Sequence, residues 1–121
     1  LSLKFKYHYA YNLPKTHKMF SYLDEIINYA SKKNIKILFY ITPINFEHLN
    51  NLLEKDFLET VENNIITITN YLQSKNVAFI DLSKKIKGSD FIDRQHACEH
   101  LDFYARKFVA DTISKHKFIK P

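Results

Sequence analysis

The chain has 121 residues with a formal net charge of +5, of which 45% are hydrophobic, 15% aromatic and one is cysteine. That length suits one domain with a single core, and the apolar content excludes a disordered chain. Cys98 alone cannot form an internal disulfide, and no apolar run approaches the roughly 20 residues that cross a bilayer, the longest being "ILFYI" at 37–41.

The positive charge is carried by lysine, with Arg94 and Arg106 the only arginines. Bidentate recognition of bases and phosphates favours arginine, so no specific nucleic-acid partner is expected. The clusters Lys32-Lys33 and Lys84-Lys85-Lys87 read as solubilising charges at element ends. No signal-like segment opens the chain at Leu1, which suggests that a longer product has been shortened.

In chain order, "LSLKFKYHY" alternates apolar and polar residues, so residues 1–15 read as an N-terminal strand or a linker. After Pro14, with Thr16 as cap, the spacing of Met19, Phe20, Leu23, Ile26, Ile27 and Ala30 predicts a helix. "SKKN" stops it, with Asn34 as a left-handed cap. "IKILFYI" then reads as a strand covered on both faces, ended by Pro43. A linker with a short helix, "NFEHLNNLLEK", leads to a second helical stripe of Leu58, Val61, Ile65, Ile68 and Leu72. "QSKN" at 73–76 echoes "SKKN" at 31–34, and "VAFIDL" reads as another short strand. Leu101, Tyr104, Ala105, Phe108, Val109 and Ile113 trace a last helix, with Asp102 as its cap.

Helices and strands alternating through short joints predict a three-layer α/β/α fold with a small, mainly parallel sheet, of flavodoxin-like grammar. Two or three strands make a small sheet, as if the chain were half of a larger domain that a further segment or a partner chain completes. Ligands of such sheets sit beyond the carboxyl ends of the strands. Three segments should meet there: "TPIN" at 42–45, "DLS" at 81–83, and the approach to the last helix, which contains "HACEH" at 96–100.

That pentapeptide has two readings. His96-x-x-Glu99-His100 spells an inverted zincin motif, which needs a helix through 96–100 and a third ligand further on. No glutamate follows Glu99, and Asp93, Arg94 and Gln95 read as loop, so zinc is the weaker alternative and no metal site is assigned. Cys98 reads as a buried thiol rather than a nucleophile. Gly88, the only glycine, precedes Ser89-Asp90 and reads as a turn. No phosphate-cradling, flavin or nicotinamide signature is present, so no cofactor is expected.

The second reading uses more of the chain. His100-Leu101-Asp102, Ala105-Arg106, and Val109-Ala110 with Ile113 resemble the closing block of SGNH (GDSL-like) esterases and acyltransferases. The agreement, in pattern more than in rare letters, spans roughly residues 16–115 and resembles the carboxyl-terminal half of that fold. The resemblance implies an ester hydrolase or O-acyltransferase in which His100 is the general base, taking the proton of a serine upstream of this chain and returning it to the leaving group. The substrate would be a small-molecule or glycan ester. The family's acid lies three residues before its histidine, a place that Ala97 occupies here, so Asp93 or Glu99 would have to supply the carboxylate. The Gly-Asp-Ser turn and the oxyanion-hole donors are absent from the chain. At the strand ends, Asn45 and Asp81 are the substrate-binding candidates, each also suited to an ordinary turn or cap. The rival expectation is a noncatalytic α/β module for binding or assembly.

Overall fold

The computed structural model describes residues 7, 8, 10–92 and 100–116. Within them, the chain runs α1 (Lys18–Lys32), β1 (Leu38–Ile41), α2 (Phe46–Leu52), α3 (Lys55–Ser74), β2 (Ala78–Asp81), a 3-10 turn (Gly88–Asp90) and α4 (Phe103–Ser114). β1 and β2 pair in parallel, with Leu38 opposite Ala78 and Ile41 opposite Asp81. The mixed α/β architecture therefore holds, with a two-stranded parallel sheet among the described residues.

The two helix-to-strand joints use the same device. Asn34 and Asn76 adopt left-handed backbone, with φ of 53° and 52°, which asparagine tolerates better than most side chains. At the first joint, the amide of Asn34 donates to Ser31 O at 3.1 Å and that of Ile35 to Ala30 O at 2.8 Å. This pair of bonds is the Schellman closure that satisfies the last carbonyls of a helix. At the second, Asn76 N donates to Gln73 O at 3.0 Å. The repeated "KN" at 33–34 and 75–76 thus encodes the same chain reversal ahead of each strand.

Parallel pairing continues past the strands, where Leu82 N donates to Ile41 O at 3.1 Å and Ile44 N to Ser83 O at 3.0 Å. The apolar core gathers at that edge. Ile44, Leu49 and Leu53 form its centre, with Phe46, Phe57, Leu58 and Ile65 packed against them. Phe91 and Leu82 are also fully buried.

Three local expectations are corrected. The first strand is shorter than "IKILFYI" and is not covered on both faces: Tyr40 is 47% exposed and Ile35 54%. A strand with one neighbour in a two-stranded sheet has too little around it to bury both faces. Tyr7 and His8 are helical rather than extended, because a helix satisfies its own backbone while a strand needs a partner edge; the rest of the 1–6 alternation lies outside the described residues. The cap of α1 is His17, not Thr16. A turn closed by His17 N to Pro14 O at 2.9 Å moves the helix start one residue on, and His17 Nδ1 accepts from Met19 N at 3.2 Å.

α1 is tied to the end of α3 through Tyr71. Its ring packs on Phe20, centroid to centroid 4.6 Å. Its hydroxyl donates to Asp24 Oδ1 at 2.6 Å, and Lys75 Nζ lies 2.6 Å from the same oxygen. The bonds from Lys75 and Tyr71 hold the Asp24 carboxyl below its ordinary range. Burial, and then the adjacent carboxylate, push the Tyr71 phenol up to about 12.

Two predictions follow from these contacts. Asn76→Ala should lower stability by about 1 kcal/mol, because alanine lacks the short polar side chain with which asparagine tolerates left-handed backbone, whereas Asn76→Gly should stay near the wild type in denaturant midpoint. A phenol raised in the folded state stabilises fully below its unfolded value and loses that contribution as pH climbs through the folded one. The Tyr71 contribution should thus fade between pH 10 and about 12. Ultraviolet titration should show a late phenolate that Tyr71→Phe removes.

Candidate functional site

The carboxyl edge of the parallel pair is built by three segments. β1 leads through Pro43 and Ile44 to Asn45, which is 3% exposed and caps α2. Asn45 Oδ1 accepts from His48 N at 3.0 Å, while Asn45 Nδ2 donates to Gly88 O at 3.4 Å. Both ends of this amide are engaged by the fold. These two bonds cap α2 and hold the 88–90 turn.

β2 ends at Asp81, which is exposed. Asp81 Oδ1 accepts from Ser83 N at 2.9 Å and from the Ser83 hydroxyl at 2.6 Å. This side chain-to-backbone turn is the capping role weighed for Asp81. Ser83 itself is 2% exposed, and its hydroxyl is committed as a donor to that carboxylate.

The third segment enters from the 3-10 turn. Gly88 is buried, and its amide donates to Glu47 Oε1 at 3.2 Å. Phe91 then forms an antiparallel bridge with Leu101. On either side of that bridge, Ile92 N donates to His100 O at 2.8 Å, and Asp102 N donates to Asp90 O at 2.9 Å. Asp102 Oδ1 accepts from Ala105 N at 2.7 Å, which makes it the cap of α4 as its position implied. His100 is thereby pinned by its own backbone two residues before the cap of α4, in an exposed position. Among the described residues, none hydrogen-bonds its ring.

Asp93 and Glu99, the two candidate carboxylates, lie outside the described residues, as do His96 and Cys98 of the zinc reading. Among the described residues, no group of three or more His, Cys, Asp or Glu could hold a metal ion. The edge therefore brings together Asn45, Gly88 and, through the Asp90–Asp102 pairing, the backbone of His100.

Sequence reasoning missed a cavity of about 600 Å3 on this edge, between α2, α3 and the segment after β2. Ile44, Phe46 and Leu58 give it an apolar lining, and Glu47, Glu62 and Lys84 a polar one. Lys84 pairs with Glu62 and lies 4.9 Å from the centroid of the Phe46 ring. The same ion pair lines a second cavity of about 330 Å3 that reaches Asp81 and Ser83. His100 lines neither. The signal available in the sequence was the position of Glu59 and Glu62 beside the stripe of Leu58, Val61 and Ile65; the lysine and Phe46 arrive from distant segments.

Gly88 offers a direct test of this packing. A β-carbon there would fall against Glu47 Oε2, 2.9 Å from Glu47 Cδ and 3.0 Å from Asn45 Oδ1. Gly88→Ala should displace the Glu47 carboxyl, cost about 1 kcal/mol for the lost hydrogen bond, and cost less when Glu47 is also alanine. A double-mutant cycle in denaturant reads that coupling.

No curated protein and no solved structure matches the chain. A family match runs over residues 4–100 and stops at His100, so α4 lies beyond it. On that match, which covers most of the sequence, the chain belongs to the family described as Protein of unknown function (DUF1574).

Proposed function

We propose that these residues are the carboxyl-terminal part of an SGNH-like, three-layer α/β/α domain, and that His100 is the general base of an ester hydrolase or O-acyltransferase. The serine nucleophile and the oxyanion-hole donors would come from outside residues 1–121. His100 takes the serine proton as the oxygen attacks the ester carbonyl, then returns it to the departing alkoxide. The resulting acyl-serine passes its acyl group to water or to a sugar hydroxyl. Asp93 or Glu99 would fix the tautomer of the ring.

One observation carries this reading: an exposed histidine, held through its backbone to the segment after β2, stands directly ahead of the Asp102-capped helix. A general base needs both properties, because the ring must reach a substrate while its anchor stays fixed. In open α/β sheets the carboxyl edge is where such a residue is useful.

A second reading, a noncatalytic binding or assembly module, is favoured by a different observation. Asn45 and Asp81, the polar groups at the two strand ends, are both engaged in holding the fold. The two readings part in one experiment. An alkyl fluorophosphonate should label a serine of the naturally produced full-length protein, and His100→Ala should slow labelling by about 10³-fold or more with an unchanged melting curve. A folded wild-type protein that takes no label rejects the enzyme and leaves the module.

A further inference from the structure

We propose that Glu47 is a positioning residue for His100, acting through the backbone of the 88–92 segment. The catalytic consequence rests on the acyl-transfer reading above; the mechanical linkage does not. Nothing in the sequence joins the two residues, which are 53 positions apart.

The linkage runs through hydrogen bonds. Glu47, in the first turn of α2, accepts the Gly88 amide on Oε1 at 3.2 Å. Asn45 grips the other side of the same residue by donating to Gly88 O at 3.4 Å, at the long end for such a bond. The turn is thus fastened to α2 at two points, one on its N–H and one on its C=O. Its exit, Asp90 to Ile92, carries the pairing with residues 100–102, in which Ile92 N holds the carbonyl of His100 itself at 2.8 Å.

Glu47 is the attachment whose loss would be felt as movement rather than unfolding. Its side chain stands in an exposed residue on the wall of the large cavity, so truncation removes little buried apolar surface. Phe91, 2% exposed, keeps the segment anchored to the core. Without Glu47, the long Asn45 bond is the side-chain hydrogen bond that still ties Gly88 to α2 among the described residues, and the turn can pivot about it. A pivot at Gly88 shifts residues 90–92, and residues 100–102 must follow or lose their bonds. The requirement for glycine fits the same account, since a β-carbon at position 88 would occupy the space of the Glu47 carboxyl.

The test uses the full-length natural protein as wild type, Glu47→Ala and Glu47→Gln, with two readouts. Hydrogen–deuterium exchange by mass spectrometry compares the peptide carrying Ile92 with the one carrying Leu82, whose amide bonds to Ile41 instead. Fluorophosphonate labelling gives the rate at the serine. Glu47→Ala should speed exchange at Ile92 and not at Leu82, and should slow labelling by between about tenfold and about 10²-fold, the cost of displacing a reacting group by an ångström. Glu47→Gln, which keeps an acceptor oxygen in the same place, should restore most of both. Unchanged exchange at Ile92 in Glu47→Ala overturns the proposal, as does labelling at the wild-type rate. Faster exchange at Ile92 in a wild-type background that takes no label keeps the linkage and discards the acyl-transfer reading instead.

Discussion

Parallel pairing of two four-residue strands sets the terms for everything else in the described structure. Parallel strands end on the same side, so the chain must leave β1 and β2 at one edge and return each time over the surface. The pairing continues beyond the strands through Leu82 to Ile41 and Ile44 to Ser83, which brings the two exits side by side. Ile44, Leu49, Leu53, Leu82 and Phe91 bury themselves there. This apolar cluster thus sits past the strand ends, and two of the polar groups at the edge, Asn45 and Ser83, are buried against it. Such groups must find hydrogen bonds, which explains why Asn45 and Ser83 are satisfied by the chain itself.

What the sequence made legible is local. Apolar spacing placed the helices, and the echo of "SKKN" in "QSKN" anticipated two left-handed asparagines because the reversal from helix to strand is decided within a few residues. Asp102 was readable as a cap for the same reason. The roles of Asn45 and Glu47 were not, since their partner Gly88 is 43 and 41 residues away. The extent of β1 was overestimated because an apolar run records what a sheet could cover, while burial depends on how many neighbours are present. The cavity between α2 and α3 was not legible for a related reason: Lys84 meets Phe46 only once the crossover from β1 to β2 is complete.

Charge is managed in small local groups. The chain is basic overall, yet Lys75 lies against Asp24, Lys84 against Glu62, and Lys107 against Asp111. These pairs are substantially exposed, and each contributes little to stability alone. The Tyr71 cluster joins α1 to α3, while the Glu62–Lys84 pair joins α3 to the segment after β2. Aromatic side chains behave differently. Phe103, Tyr104 and Phe108 on α4 remain exposed, with Ala105 the one buried residue of that helix. α4 is thus placed by its cap and by the Phe91–Leu101 bridge more than by its apolar face.

That bridge is built from backbone alone. Bonds from Ile92 to His100 and from Asp102 to Asp90 close the two ends of the 93–99 segment onto each other. These are main-chain bonds, made by groups that every residue except proline carries. The place of His100 and the start of α4 therefore depend on the path of the backbone from Asp90 to Ile92, and the bonds themselves are indifferent to which side chains stand at those three positions.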